Sequence, residues 1–298
     1  MHITTGVRAK SNLHRLFVIR DAIACVMIID PAIIDVDLQV RINAAIEGIE
    51  ARERVRVLYA VESGSRAWGF ASADSDYDVR FIYVREPQAY LGLHRRRDVI
   101  EVPIDSVLDV SGWDLPKALH LFRKSNPPLM EWLGSPVVYR DDGALAPTLR
   151  ALSTSFFSPR ACMHHYVSMA TSNQKQYLQG PTVRLKKYLY VLRPLLAGRW
   201  ILDGKGMPPT TFQDLLDASL PSGPVRAVVD EVIERKKHSR ELDDAEPLPV
   251  LGDYLVAGIA ELRALADAAA DVAGDEAVLD ALFRETLWRL WPEVGSWR

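Results

Sequence analysis

"ESGSRAWGFASADSDYDVRFIYV", residues 62–84, joins one apolar run to the next through residues that strands seldom hold. Gly64-Ser65 closes the first run, and Asp76-Tyr77-Asp78 opens the second. Carboxylates are poor strand residues, so two at alternate positions mark either a turn or a site. On a strand, residues i and i+2 share a face, with Cα atoms roughly 6–7 Å apart. Asp76 and Asp78 then project together, while Tyr77 and Val79 face the other way into packing. Carboxylates this close repel each other, and one carries a raised pKa unless a cation lies between them. Hard oxygen donors at this spacing suit Mg²⁺ or Mn²⁺, which bind through one or two carboxylates plus substrate phosphates. Gly64 lets an anion approach the backbone closely. The N–H groups opening a short helix, predicted over 65–71, would bind that anion together with the Ser65 hydroxyl.

Working outward, "VRVLYAV", 55–61, reads as a buried strand: short, β-branched and almost uncharged. "DYDVRFIYV", 76–84, is a second strand, and 98–104 and 106–113 are a third and a fourth. Residues 36–53 carry apolar positions at helical spacing and form a helix that packs on the sheet. The connection 85–98 is long enough to move. From Asp114 the period turns helical, with Asp114 as N-cap and Pro116 in the first turn. "NPPLMEWLGS" is a short helix, and after "PVVYRDDG" helices are predicted at 147–156, 159–179, 182–202, 210–219, 224–240, 250–273 and 275–292. Gly/Pro punctuation at 180–181, 204–209 and 221–224 separates them. Pro194 is expected to end or kink the helix that contains it. The fold class is therefore α+β. A small mixed-sheet domain, 37–140, precedes a helical domain, 141–298, and residues 1–36 form an N-terminal extension.

A third carboxylate would complete a two-metal site, and it must come from a neighbouring strand roughly 4.8 Å away. Asp105, Asp109 and Asp114 are the candidates. Asp114 caps a helix and Asp105 sits at a turn. Asp109 lies between Leu108 and Val110, where a carboxylate has no packing reason to be, and elimination favours it.

Composition is that of a soluble globular chain, 48% hydrophobic and 25% charged over 298 residues, with net charge −3. Binding of a polyanion by bulk charge is excluded, so any nucleic-acid contact is local. Cys25 and Cys162 match neither a metal spacing nor a disulfide framework and read as buried free thiols. Residues 1–20 hold four Arg or Lys and no acid, and the apolar run 22–29 is too short to span a bilayer. The acid-poor start is shared with transit peptides, but an added element or a poorly ordered extension fits it better. No membrane association and a cytoplasmic location are expected.

"GSRAWGF…SDYDVRFIY" resembles the Gly-Ser and Asp-x-Asp signature of the DNA polymerase β nucleotidyltransferase superfamily. With "KSNPPLMEWL", "HHYVSMA" and "KKYLYVLRPLLAGRWI" in order downstream, the chain resembles its RlaP-like branch, associated with RNA repair, over roughly residues 37–240. The resemblance implies that Asp76, Asp78 and the third acid hold Mg²⁺ or Mn²⁺, and that Gly64 and Ser65 hold the β- and γ-phosphates of an NTP. It implies in-line attack of an acceptor hydroxyl on the α-phosphate with release of pyrophosphate, the third acid helping to deprotonate the hydroxyl. The superfamily commonly reaches the triphosphate with a lysine of its helical domain, which points to Lys187, then Lys186. The acceptor stays open between an RNA 3′ end, a small molecule and a protein hydroxyl (AMPylation).

Several further residues carry two readings. Arg66 touches phosphate or is a solvated helix-start arginine. Arg80 shares parity with Asp76 and Asp78, and balances their charge or meets phosphate. Trp68 and Phe70 read as core. Lys186, Tyr190 and Arg193 fall on one helix face, either turned to the site or a solvated basic face. "HRRR", 94–97, grips a nucleic-acid backbone or is a solvated loop. Lys124, Ser125 and Asn126 face the cleft, or Asn126 is a C-cap. His164 and His165 have no ligand partner at metal spacing and line a cleft or pack. A non-catalytic nucleotide-binding regulatory module is the second function class, and a helical scaffold with a vestigial α/β domain the third. The intact carboxylate pair weighs against both.

Overall fold

The computed structural model describes residues 35–72, 75–94, 96–102, 107–238 and 244–293. Cys25, the run 22–29, Arg95 and Asp105 lie outside the described residues.

Helix α1, Val36–Glu53, starts where the Asp35 carboxylate accepts from the backbone N–H of Asp37 at 2.8 Å. It ends at Arg54, whose φ of 54° turns the chain left-handed. Its stripe of Ile42, Ile46 and Ile49 is buried, each side chain contributing about 2 kcal/mol by leaving water. That stripe covers one face of a five-stranded sheet: β1 (Val55–Ser63), β2 (Tyr77–Arg85), β3 (Val99–Glu101), β4 (Leu108–Asp114) and β5 (Val138–Asp141), in the order β3-β4-β2-β1-β5. The short helix α2, Gly64–Trp68, joins β1 to β2. β1 pairs antiparallel with β2 and β5, and β2 runs parallel to β4.

The two faces of β2 explain its composition. Tyr77, Val79, Phe81 and Tyr83 pack in the core beneath α1. Ile82 and Val84 face the opposite core, built by α3 (Leu115–Arg123), α4 (Pro127–Leu133) and α5 (Leu145–Phe156). Buried on both sides, β1 and β2 read as continuous apolar runs rather than alternating ones. β5 was not foreseen as a strand. It takes up the edge position beside β1 with only four residues, too few for a period to show.

Beyond α5 the chain is helical, with α6 (Pro159–Tyr177), α7 (Lys186–Leu202), α8 (Phe212–Ser219), α9 (Pro224–His238) and α10 (Pro249–Leu265) around their own core. The two-residue strands β6 (Val183–Arg184) and β7 (Asp244–Ala245) pair antiparallel and were not foreseen. α11, Glu276–Leu290, returns to the sheet layer, where Leu279 joins the core of α3 to α5.

Pro194 neither ends nor breaks α7. Its missing N–H would orphan the Tyr190 carbonyl one turn back. The Asn173 side-chain amide of α6 donates to that carbonyl at 3.0 Å, so the helix continues. Asn126 is the N-cap of α4, accepting from Leu129 N–H at 3.2 Å, and not a C-cap. Ser125 is fully buried and donates to the Phe156 carbonyl instead of facing a cleft. Among the described residues, no helix is long and apolar enough to cross a membrane.

Candidate active site where β2 and β4 begin

Register brings the charged residues together. Asp78 of β2 lies directly opposite Ser63 of β1 on one side and Asp109 of β4 on the other. Gly64, the next residue after Ser63, has φ of 68°, and a Cβ there would collide with the Asp78 Oδ2 atom. Only glycine lets the end of β1 lie against this carboxylate while adopting a left-handed turn. Ser65, buried, is the second residue of α2.

Between the two carboxylates lies Arg80. Its Nη2 donates to Asp78 Oδ1 at 3.1 Å and to Asp109 Oδ2 at 2.8 Å. Its Nη1 donates to the backbone carbonyls of Val79 and Asp109, both at 3.1 Å. Burial pushes the Asp78 carboxyl above its usual range; Arg80 pulls it back, and Asp109 and then Asp76 push it up again. Asp76 is exposed and sits one residue ahead of β2, not within it.

Asp109 is thus the acid beside Asp78, and Asp114 is remote from it. Asp114 pairs in register with Tyr83, five residues along β2 from Asp78, roughly 17 Å at strand rise. Its carboxylate accepts from the Tyr90 hydroxyl at 2.5 Å and lies 3.9 Å from Arg85 Nε, and its side chain makes no capping hydrogen bond to α3.

Arg66 is partly buried and is not a solvated helix-start arginine. Its guanidinium donates to the carbonyls of Ser75 at 2.6 Å and Asp76 at 3.3 Å, and stacks 3.8 Å over the Tyr77 ring. It therefore holds the segment that delivers Asp76. Glu62, missed in the sequence, is fully buried beside the pair. It accepts from the Asp78 N–H at 2.9 Å and the Tyr139 hydroxyl at 2.5 Å. Burial raises its carboxyl to about 7, against the lowering effect of both hydrogen bonds. The one available signal was an acid closing an otherwise apolar strand just before Ser63-Gly64.

Helix α7 faces the site with Tyr190, whose hydroxyl is pushed up first by burial and then by the carboxylates of Asp78 and Asp76. Lys187, one turn earlier, holds its Nζ 3.9 Å from the Tyr177 ring centroid and 5.0 Å from that of Tyr190. Burial lowers its pKa, as do Lys186 and Arg184. Lys186 is half-buried at the first position of α7. Arg193 leaves the predicted basic face altogether. It is buried, donates to Glu131 Oε1 at 2.8 Å and the Thr210 carbonyl at 3.1 Å, and lies 4.5 Å from the Trp68 ring. His164 is exposed, 3.1 Å from Asp267. The described part of 94–97 follows the far end of β2, seven residues beyond Asp78, roughly 23 Å along the strand.

Among the described residues, no group of three His, Cys, Asp or Glu side chains is arranged to hold a metal. Two hard carboxylates with a single guanidinium between them nevertheless fit a divalent cation in donor chemistry, since a positive charge already occupies the space between the oxygens. A cleft of about 340 Å³ lies elsewhere, among Met130, Leu133, Met207 and Pro208. It is predominantly apolar and holds no carboxylate pair, so the start of β2 and β4 is the stronger candidate.

The chain is similar to known proteins on three counts. The family described as RlaP, RNA repair pathway DNA polymerase beta family, matches residues 38–285, further toward the C-terminus than the motifs alone reached. The uncharacterized protein YcgL of Bacillus subtilis (strain 168) is 43% identical over 260 residues, covering 86% of this chain and 99% of that protein. A crystal structure of a nucleotidyltransferase-like protein from Exiguobacterium sibiricum 255-15 is 10% identical, with a TM-score of 0.31 over 78% of this chain and 75% of that one.

Proposed function

This chain belongs to the RlaP family, the RNA repair pathway DNA polymerase beta family, and from that premise we propose that it is a metal-dependent nucleotidyltransferase that moves NMP from an NTP to an acceptor hydroxyl, releasing pyrophosphate. One observation carries the proposal: Asp78 and Asp109 stand side by side across parallel strands, and the missing Cβ of Gly64 lets the end of β1 lie against the Asp78 carboxylate.

Asp78 and Asp109 are the residues that would hold Mg²⁺ or Mn²⁺, with Asp76 joining from the segment that Arg66 fixes. When bound, the ion polarises the α-phosphate and eases ionisation of the attacking hydroxyl. Gly64 and Ser65 receive the β- and γ-phosphates on backbone N–H groups and one hydroxyl. Asp109 accepts the proton of the acceptor hydroxyl. Glu62 fixes the Asp78 backbone, and so the direction of its carboxylate. Lys187 and Tyr190 close the site from α7, with Lys187 reaching toward the triphosphate and Lys186 beside it. The acceptor is proposed to be an RNA 3′ hydroxyl, in line with the family's description. Arg97 leads into β3 at the other end of the sheet from Asp78, where Val99 pairs with Trp113.

The test is incorporation of label from each NTP with Mg²⁺ or Mn²⁺, using RNA, small-molecule and protein acceptors. Wild type should incorporate label, and the Asp76→Asn/Asp78→Asn double variant should lose on the order of 10³-fold, a few kcal/mol of transition-state stabilisation. Equal incorporation by both would overturn the proposal. A non-catalytic nucleotide-binding module has one observation in its favour, the neutralising Arg80. It would gain if nucleotide bound with the same affinity with and without metal.

A further inference from the structure

Resting on the metal-dependent reading, we infer that Arg80 is an internal counter-cation that stands in for the metal, and that it must leave the carboxylate pair before an ion can enter. Its Nη2 bridges Asp78 Oδ1 and Asp109 Oδ2. The guanidinium occupies one oxygen of each carboxylate, and the other oxygen of Asp78 lies against Gly64, so a divalent ion shared by the two carboxylates would compete with Arg80. Ion and guanidinium, both positive, cannot share them at such short range.

The bridge is built and not incidental. Nη1 is anchored on the carbonyls of Val79 and Asp109, so the guanidinium is aimed at the pair by backbone. The side chains of Arg80, Asp78 and Asp109 are 21%, 30% and 31% exposed. The cluster is therefore sheltered enough for its charges to matter and open enough for exchange. Two carboxylates with one arginine leave a net negative charge, which still attracts a cation. The protein without metal is thus held with its carboxylates aligned and their repulsion relieved, and a cation arriving alone binds weakly.

The anion that accompanies the metal supplies Arg80 with another partner. A triphosphate on Gly64 and Ser65 lies beside Asp78, because Gly64 abuts that carboxylate. A guanidinium matches phosphate oxygens as well as it matches carboxylates. Nucleotide therefore draws Arg80 off the pair, and metal and nucleotide load together. Linkage requires each to raise the affinity of the other. Arg80 is in this sense a positioning residue that couples the two ligands.

The experiment measures Mn²⁺ affinity without nucleotide, by electron paramagnetic resonance of free Mn²⁺. The proteins compared are wild type, Arg80→Gln, Arg80→Lys and Asp78→Asn/Asp109→Asn, each checked for folding by thermal melting. Arg80→Gln should bind Mn²⁺ at least tenfold more tightly than wild type, and Arg80→Lys, with a charge but no fork, should fall between them. If Arg80→Gln does not fold, Arg80→Lys decides alone. Unchanged or weaker binding in the Arg80 variants, with binding abolished in the double aspartate variant, overturns the inference and leaves the metal site standing. Binding that the double aspartate variant does not alter overturns the metal site itself, and the inference with it.

Discussion

Where β2 and β4 begin, Asp78 and Asp109 share one guanidinium, and their side chains are 30% and 31% exposed. At the far end of the same two strands, Asp114 faces Arg85 and Tyr90, with Asp114 9% and Arg85 7% exposed. The chemical ingredients match, but the charge count and the water do not. Two acids to one arginine, reached by solvent, leave a site short of positive charge. One acid to one arginine, dry and bound by a tyrosine hydroxyl, leaves nothing for a ligand to complete. The contrast separates an ionic cluster that is unfinished in the folded chain from one that is part of the core.

Removing the far-end acid should have the largest effect on stability. Asp114→Ala leaves Arg85 buried without its carboxylate and should cost about 3–5 kcal/mol in denaturant unfolding, with activity per folded molecule unchanged. The milder Asp114→Asn isolates the charge. Burial lifts Asp114 from 3.8 to about 6, opposed by the Tyr90 hydroxyl and Arg85 and assisted by Asp98. A carboxyl whose folded pKa is raised stabilises the fold fully below about 4, and that stability is lost as pH rises through 6. Wild type should lose on the order of 2–3 kcal/mol relative to Asp114→Asn across that window. Parallel profiles would mean that Asp114 is ionised throughout and that the two ends are more alike than the structure implies.

Glycine supplies an intermediate effect. Gly64→Ala meets a left-handed backbone, costing about 1–2 kcal/mol, and also drives a Cβ into the Asp78 carboxylate. Gly143 has a similar φ, 71°, with open space where its Cβ would be. Gly143→Ala should therefore show the backbone cost alone, and nucleotide binding should fall only in Gly64→Ala. Equal losses in melting and unchanged nucleotide affinity in both would show that the close approach to Asp78 is irrelevant.

The smallest effect has the opposite sign. Burial, with Asp109 and Asp76 adding to it, holds Asp78 above its usual pKa range against the pull of Arg80, so Asp78→Asn, without metal, should stabilise the fold by up to about 1 kcal/mol. Destabilisation by several kcal/mol would place Asp78–Arg80 in the same class as the far-end pair.

Much of this was legible beforehand. The span of α1, the start of β1, and the shared face of Asp78 and Arg80 follow from period and composition, because a residue's face is set by its neighbours in sequence. Other features were not legible for definite reasons. β5 is too short to carry a period. Pro194 continues its helix because Asn173, on another helix, satisfies the carbonyl it orphans. Arg193 left the basic face for a partner, Glu131, that lies 62 residues away in sequence. Arg66 turned to the carbonyls of its own downstream loop, which no spacing rule anticipates.

By itself the sequence determined that an apolar strand ending in Gly-Ser precedes one opening on Asp-x-Asp, and that these belong with the RlaP pattern. Alternation in a single strand says which way a carboxylate points, and nothing about what lies beside it. Asp109 and Asp114 both stand on one strand at either end of an apolar stretch. Only the register of β4 against β2 decided that Asp109 meets Asp78 and Arg80 while Asp114 is sealed with Arg85 and Tyr90. Inter-strand hydrogen bonds between residues distant in sequence fix that register, and the charge balance of each end follows from it.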